Sequence, residues 1–387
     1  MRYFFELGNF RGLSVAELSR VLEIYGITKD TVKNFSNKIL LVESNDLNPE
    51  TIQRIFTRLG GFIRVGEVVE HLDGFLEVKD TDDKVVFGIS YLGDLDLDID
   101  KIKKLSREIK DNYKKKKISS RYILPKKAEL NSAQVTSNSM LDKGFELCIL
   151  ENENEQLYGK TIAIQDIESF ADRDYNKPSA DADMGMLPPK LARIMCNLTG
   201  LKEGIIWDPF CGSGTIPMEA TILGYDILAS DIDKQAVKAT KANIIWLSQN
   251  GYIGDILYEA FQFDVTRPDS KVLRRLKNTD IEAIAFEPYM GPPQTRILTP
   301  QKADILLNDV KNLLNRFKKI VDEVFNGKSI VVIIPSYKTK KGWKTFSIRE
   351  IFDKRWNVLN KEYAQEDLKW ERNNSIISRN IFILEKR

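Results

Sequence analysis

Histidine is almost missing from this chain: His71 is the only one in 387 residues. A histidine-based triad or a His-rich metal centre therefore lacks the groups it would need. His71 itself reads as a strand-edge or surface residue. Cysteine is also scarce. Cys148, Cys196 and Cys211 are widely scattered, which fits neither a disulfide framework nor a zinc site, so no metal is expected and a reducing, cytoplasmic setting is the simplest reading. No apolar run approaches the length of a membrane span. The opening residues Met1-Arg2-Tyr3-Phe4-Phe5-Glu6 lack the apolar core and small-residue cleavage site of a secretory leader. What remains is ordinary for a soluble globular protein, with 42% hydrophobic and 29% charged residues. The length suits two or three domains.

Net charge is only +2, but it is unevenly spread. Residues 101–127 hold twelve Lys or Arg against two acids, Glu108 and Asp111. The rest of the chain is therefore net acidic. Lys114, Lys115, Lys116, Lys117 and Arg121 are the densest part, with Tyr113 and Tyr122 interleaved. A solvated helix face is the bland account of a lysine run. The asymmetry and the aromatics favour a nucleic-acid partner.

The pattern of elements divides the chain into four stretches. Residues 1–72 read as a small α+β unit: a strand at 3–7, a helix capped by Ser14 with Glu17 completing a capping box, a strand at 38–42 and a helix near 49–59. Residues 73–165 read as a second α+β unit. It has a strand at 84–90, a helix at 100–116 with Ile102, Leu105 and Ile109 on its buried face, a strand at 121–124, a helix at 132–141 ended by Gly144, and strands at 145–150 and 161–165. No parallel repeat is visible there. Residues 166–186, rich in charges and small residues, read as a linker. From 187 to 387 strands and helices alternate regularly: strands at 204–208, 226–230, 261–263, 282–286 and 329–334, helices from Pro188-Pro189 to about Leu198, at 215–223, 233–249 and near 301–325, and a terminal strand within 374–384. That alternation predicts a doubly wound, Rossmann-like parallel sheet.

The chemistry concentrates in that last region. A short apolar run ends at Asp208, Gly212 and Gly214 follow, and a helix opens with Pro217 in its first turn. Glycine lets a ligand approach the backbone closely, and the helix start offers free N–H groups. Asp231 lies at the end of the next strand, where an acid faces ribose hydroxyls. Asp264 closes the following strand and is placed to accept from an adenine amino group, although a plain helix cap is an equal reading of it alone. Glu287-Pro288-Tyr289 closes the fourth. An acid about 20 residues beyond a glycine loop also marks NAD enzymes, but Pro217 stands where the third glycine would be, which leaves NAD a distant alternative.

Asp208-Pro209-Phe210-Cys211-Gly212-Ser213-Gly214-Thr215-Ile216 resembles the cofactor motif of amino-group methyltransferases. Gly185-Met186-Leu187-Pro188-Pro189-Lys190-Leu191-Ala192 with Asn197-Leu198 resembles, more narrowly, the THUMP-containing tRNA guanine-N2 methyltransferases. Thr161-Ile162-Ala163-Ile164-Gln165-Asp166 is similar to the end of their THUMP domain, and residues 1–72 to their ferredoxin-like unit. The resemblance covers essentially the whole chain and is strongest over 185–231. It implies S-adenosylmethionine as cofactor, with Asp208, Phe210, Cys211, Gly212, Gly214, Thr215, Asp231, Ile232 and Asp264 around it. It implies tRNA as substrate, its acceptor end held by the THUMP-like region, and methyl transfer to the exocyclic amine of a guanine.

The family's catalytic motif is Asp or Asn followed by Pro-Pro and an aromatic residue, often with glycine after it. Here it is Glu287-Pro288-Tyr289-Met290-Gly291. Matching Gly291 puts Glu287 on the acid and Met290 on the aromatic; matching Pro288-Tyr289 keeps the aromatic but puts Phe286 on the acid. Glu287 is preferred, because it alone in the motif can hold an amine N–H and take a proton. Two other classes fit the same residues: a DNA or other amino-methyltransferase of this fold, and a tRNA-binding protein that does not catalyse. Lys338, Lys340, Lys341 and Lys344 among Tyr337, Trp343 and Phe346 read either as an RNA-contacting loop or as a solvated one.

Overall fold

The computed structural model describes residues 1–69, 71–72, 84–94, 99–179, 186–254 and 256–387. These residues form two compact units. Gly185, the first residue of the family-like segment, and residues 180–184 of the stretch read as a linker lie outside the described residues.

The first unit holds residues 1–9, 27–57 and 62–167. Its strands are β1 (Arg2–Leu7), β2 (Val32–Asn34), β3 (Ile39–Glu43), β4 (Phe62–Val69), β5 (Val85–Tyr91), β6 (Ser120–Ile123), β7 (Gly144–Glu151) and β8 (Gln156–Ile164). They make one sheet in the order β2-β3-β1-β4-β8-β7-β5-β6. The stretches 1–72 and 73–165 thus contribute strands to the same sheet, joined where β4 pairs antiparallel with β8. The expectation of no parallel repeat is corrected: β5 pairs in parallel with both β6 and β7. The basic helix Ile99–Lys115 buries Ile102, Ser106, Ile109 and Tyr113. That spacing is one helical stripe, and it leaves Lys101, Lys104, Arg107 and Lys110 outward. The single helix expected at 132–141 is two short ones, Ser132–Ser137 and Met140–Lys143, because Ser139 between them is left-handed at φ 47°.

A buried ionic cluster ties this sheet together. Arg64 contacts Glu6 and Glu146 and donates to the Leu130 carbonyl at 2.8 Å. Glu146 in turn accepts from Ser90 and Thr161, each at 2.6 Å. Burial pushes the Glu6 carboxyl up, against the pull of Arg64.

The second unit holds residues 10–26, 58–61 and 168–387. Its strands are β9 (Ile205–Asp208), β10 (Asp226–Asp231), β11 (Tyr258–Gln262), β12 (Ile281–Phe286), β13 (Ser329–Thr339), β14 (Gly342–Lys344), β15 (Trp356–Val358), β16 (Lys369–Trp370) and β17 (Ile377–Lys386). The main order is β11-β10-β9-β12-β13-β17-β15. β11 to β13 are parallel, and β17 returns antiparallel against β13. Alternation along the strands fills two cores. Ile206, Ala229, Ala285 and Val331 join the helices Pro189–Leu198 and Thr215–Ile222 on one face. Trp207, Leu228, Ile284 and Val332 join the helix Pro300–Val324 on the other. Both faces are covered, as a parallel sheet requires.

The N-terminal helix Arg11–Ile24 also packs in this unit, and its expected cap is corrected. Phe10 is the cap, with no side-chain bond. Ser14 lies inside the helix and donates to the Gly61 carbonyl at 2.7 Å. Glu17 is fully buried and accepts from the amides of Gly60 and Gly61 and from Asn197, at 2.8, 2.9 and 2.7 Å. Burial pushes its carboxyl up to about 7. Other elements escaped the pattern, the longest of them strand β4 and the helix Ser270–Asn278; the short strands β2, β14, β15 and β16 did so too. Residues 167–176 are helical, and Arg173 and Lys177 beside them are buried. No helix among the described residues is long and apolar enough to cross a membrane.

Candidate functional site

The strand order reverses at β9, which has β10 on one side and β12 on the other. In an open parallel sheet the crevice beyond the carboxyl ends at such a reversal is where ligands bind. Asp208, Asp231 and Phe286 are the last residues of β9, β10 and β12, and Glu287 follows Phe286.

The loop after β9 is shaped by its two glycines. Gly212 and Gly214 have φ of 50° and 86°. A Cβ on Gly214 would lie 2.8 Å from Thr240 Oγ1, so only glycine fits both the conformation and the space. Thr240 donates to the Gly212 carbonyl at 3.0 Å, and Asn243 to the Ser213 carbonyl at 2.8 Å. The helix Lys234–Gln249 therefore holds the loop from behind. Cys211 is buried in this arrangement; its amide donates to the Ser230 carbonyl at 3.0 Å, and burial pushes its thiol well up. It is a packing residue of the loop, as is Phe210, which lies 5.3 Å from Phe286 and 5.5 Å from Phe317 between ring centroids.

Two acids frame the loop. Asp208 is 2% exposed and accepts from the Phe210 amide at 3.1 Å. Burial raises its carboxyl well above the ordinary value, and the charges of Asp231 and Glu287 add to the rise. Asp231 accepts from the amides of Gly212 and Asp233, each at 2.9 Å, and is raised by burial against those bonds. Asp231 thus joins the glycine loop to the end of β10. Ile232 beside it is 59% exposed, an apolar side chain at the crevice rim. Asp264 behaves differently. β11 ends at Gln262 rather than 263, so Asp264 stands two residues beyond it and accepts from the amide and hydroxyl of Thr266, both at 2.7 Å. Burial raises its carboxyl, but these bonds outweigh burial and hold it low. Phe263 links this turn to β10 by donating to the Asp231 carbonyl at 2.8 Å.

Of the motif after β12, Phe286 is fully buried in the core and Tyr289 is 64% exposed. Arg379 of β17 donates from Nε to Glu287 Oε1 at 2.5 Å, and from its second nitrogen to Oε2 at 3.4 Å. Tyr337 of β13 donates to the Met290 carbonyl at 2.5 Å; burial, then the Glu287 charge, raises its phenol. Arg379 is not a residue the sequence singles out, and Tyr337, read as part of an RNA-contacting or solvated loop, is instead fully buried. The available signal was the polar stretch Ser378-Arg379-Asn380 inside the otherwise apolar run 376–384. The lysines of 338–344 lie around the β13–β14 turn. Lys338 sits over Trp343 at 5.8 Å, and Lys344 pairs with Asp304 at 2.7 Å.

Lys114, Lys115, Lys116, Lys117 and Arg121 lie in the first unit and are exposed. They cluster at the end of the basic helix, where Lys117 takes φ 61° and turns the chain into β6. Arg121 donates to Asn138 at 3.0 Å.

Near the loop, a second buried ionic cluster forms. Glu219, fully buried on the helix Thr215–Ile222, receives Arg173 at 2.5 Å and Arg193 at 2.7 Å. Lys177, 3% exposed, donates to Thr215 Oγ1 at 3.2 Å. The donor set of the crevice is therefore acidic at the strand ends and basic at the helix start. It suits a ligand that carries hydroxyls and a positive centre at one place and an anion at another.

Residues 177–267, which span the loop and both framing acids, match UPF0020, the RMKL-like methyltransferase domain. The tRNA (guanine(10)-N2)-dimethyltransferase of Methanothermobacter thermautotrophicus is 39% identical over 108 residues, 28% of each chain. That of Methanocaldococcus jannaschii is 31% identical over 155 residues, 38% of this chain and 40% of that one. The alignments thus span less than half the length of these relatives. The crystal structure of TrmN from Thermus thermophilus superposes over 100% of both chains with a TM-score of 0.52 and 13% identity, a likeness of fold.

Proposed function

We propose that this chain, whose residues 177–267 match the RMKL-like methyltransferase domain, transfers a methyl group from S-adenosylmethionine to the exocyclic N2 amine of a guanine in tRNA. The observation that carries the reading is the ordered set at the strand ends: Asp208 and Asp231 around the glycine loop, and Glu287 on the neighbouring strand. The names of the relatives supply the base and the RNA. When bound, the cofactor supplies an electrophilic methyl on a sulfonium; the S–CH₃ bond breaks as the N–CH₃ bond forms.

The residues divide the work. Asp231, fixed by the Gly212 and Asp233 amides, would accept from the ribose hydroxyls. Asp208, buried beside Asp231 and Glu287 with its carboxyl raised, would be drawn towards its charged form by a cationic ligand and would favour such a ligand in turn. Asp264 stands next to Asp231 through the Phe263 bond and is the candidate for the adenine amine. The guanine amine is a weak nucleophile, because its lone pair is delocalised into the ring. Glu287, held by Arg379, would accept one N–H of that amine, and the Pro288 carbonyl the other, which favours pyramidalisation as the methyl arrives. The released proton passes to Glu287 or to water. Alignment of amine, methyl and sulfur supplies much of the acceleration. Tyr289, exposed beside the motif, is placed to stack on a base taken out of its helix.

The exposed lysines of 114–117 and Arg121 would bind phosphates and position the tRNA acceptor end without reading sequence. The region before 166 then serves as the ferredoxin-like and THUMP part, and the enzyme works in the cytoplasm. Incubating the purified protein with unmodified tRNA and labelled S-adenosylmethionine tests the reading. Nucleoside mass spectrometry should show N2-methylguanosine or its dimethyl form. Methylated adenosine or cytidine, or no transfer to any tRNA, would overturn it.

A further inference from the structure

Methyl transfer as described uses none of the lysines and aromatics at 337–346. β13 lies beside β12 on the side away from β9, so the chain beyond its end flanks Glu287 opposite the glycine loop. There it forms a hairpin with β14, in which Lys338 stands opposite Trp343 and Thr339 opposite Gly342. The turn between them is fixed: the Thr339 hydroxyl donates to the Gly342 carbonyl at 2.7 Å and accepts from the Lys341 amide at 3.1 Å. The hairpin is braced on both sides. The Lys338 amide donates to the Ile376 carbonyl at 2.8 Å, and its carbonyl accepts from the Leu298 amide at 3.0 Å. Ile376 comes shortly before Arg379, and Leu298 closes the loop that begins at Glu287. An anchored hairpin thus stands beside the proposed acid.

Part of its charge is unpaired. Lys344 pairs with Asp304, and Lys369 of β16 with Glu371. Lys338, Lys340 and Lys341 have no carboxylate within ion-pair distance among the described residues, and the last two are exposed. Trp207, Trp356 and Trp370 lie in the cores that cover the sheet; Trp343 lies in neither and is half-buried. Two ammonium groups stand over its ring, Lys338 at 5.8 Å and Lys369 at 5.0 Å. Like charges gathered around one indole repel one another, and a polyanion removes that cost. A guanine taken out of its helix leaves the face of its neighbour bare. An indole can cover that face while ammonium groups meet the adjoining phosphates.

We propose that the β13–β14 hairpin is an RNA-binding surface for the strand that flanks the target guanine. Lys338, Lys340 and Lys341 take its phosphates, and Trp343 stacks on one of its bases. The ammonium groups over the ring pass to phosphates as the base takes their place. This rests on the methyl-transfer reading and deepens it: the base at Glu287 is presented by a strand gripped in the same unit.

Equilibrium binding of tRNA to the full chain, followed across salt concentrations, tests the surface. Lys340→Ala combined with Lys341→Ala should weaken binding roughly tenfold and lower the salt slope by about one to two. Trp343→Ala should weaken binding roughly fivefold to a hundredfold, the range for one stacked base, and leave the salt slope as it was. Trp343→Phe should recover part of that loss. A purely structural role for the hairpin would not divide slope from affinity in this way. Unchanged affinity and slope in the lysine variant, or unchanged affinity in Trp343→Ala, would overturn the surface, and methylation of tRNA by the unsubstituted protein would still stand. Absence of transfer to any tRNA by the unsubstituted protein would instead remove the reaction itself. Should Trp343→Ala lose S-adenosylmethionine binding as well, and so its fold, the exposed lysine pair decides by its slope.

Discussion

Each unit buries an ionic triad, and the two are inverted copies in charge. In the first, one cation, Arg64, lies between Glu6 and Glu146. In the second, one anion, Glu219, lies between Arg173 and Arg193. The first triad is closed by its own neighbours: Ser90, Thr161 and the Leu130 carbonyl take up remaining donors and acceptors. The second sits one turn from an uncapped helix start and from Lys177. A buried charge cluster that satisfies itself holds a sheet in register. One that adjoins an under-partnered cation marks where a ligand completes it. The difference lies in what surrounds the charges, since burial is nearly equal in both.

Substitutions can break that contrast. The largest effect is expected for Arg64→Met, which leaves two carboxylates buried together; a loss of about 3–5 kcal/mol should appear in urea unfolding, with no ligand able to restore it. Glu219→Gln strands two guanidinium groups and should cost about 3 kcal/mol, but here added S-adenosylmethionine should recover part of the loss in a thermal shift. Equal recovery in both variants would abolish the distinction. Arg379→Ala touches a third pair, less buried than the two triads at 16% side-chain exposure on each side. It should lower kcat by about a hundredfold through a mispositioned Glu287, with tRNA affinity and melting temperature little changed, and Arg379→Lys should restore part of the rate. An unchanged kcat would remove the pair from the reaction.

The smallest effect is a pH dependence. The Glu17 carboxyl is held at about 7 by burial, above its unfolded value. The folded state therefore keeps this proton longer than the unfolded one, and stability falls as pH rises between about 4.5 and 7. From pH 5 to pH 7 this group alone should remove roughly 2 kcal/mol. Denaturant titrations of Glu17→Gln at the two pH values should differ less than those of the unsubstituted protein by that amount.

The sequence was most legible where one residue's chemistry and one strand's end coincide. Asp208, Gly214 and Asp231 could be placed from spacing alone, because the strand–loop–helix pattern determines where they point. Partners supplied from far along the chain were not legible. Arg379 reaches Glu287 across 92 residues, and nothing near Glu287 announces it. Lys177 sat in a stretch whose charges and small residues resembled a solvated connector, and its burial depends on the helix it meets. Ser14 and Glu17 were misread for a related reason. Their spacing matches a capping box, but Glu17 turns inward to amides and to Asn197, 180 residues away. Ser139 broke a helix by a left-handed φ that serine rarely adopts.

That inward Glu17 carries a consequence for how the second unit comes into being. Its helix Arg11–Ile24 precedes the rest of the unit along the chain, yet Arg20 on it bonds Tyr363 at 2.6 Å and the Thr199 carbonyl at 3.2 Å, and it contacts Glu385. That helix must wait for β17, far along the chain, before its charges are paired. Contacts of such sequence separation slow folding. A fragment beginning at residue 187 would lack the helix altogether, leaving Asn197 and Glu385 without the partners supplied by Glu17 and Arg20. Dissecting this chain at the boundary its sequence suggests would remove a piece of the very unit one meant to isolate.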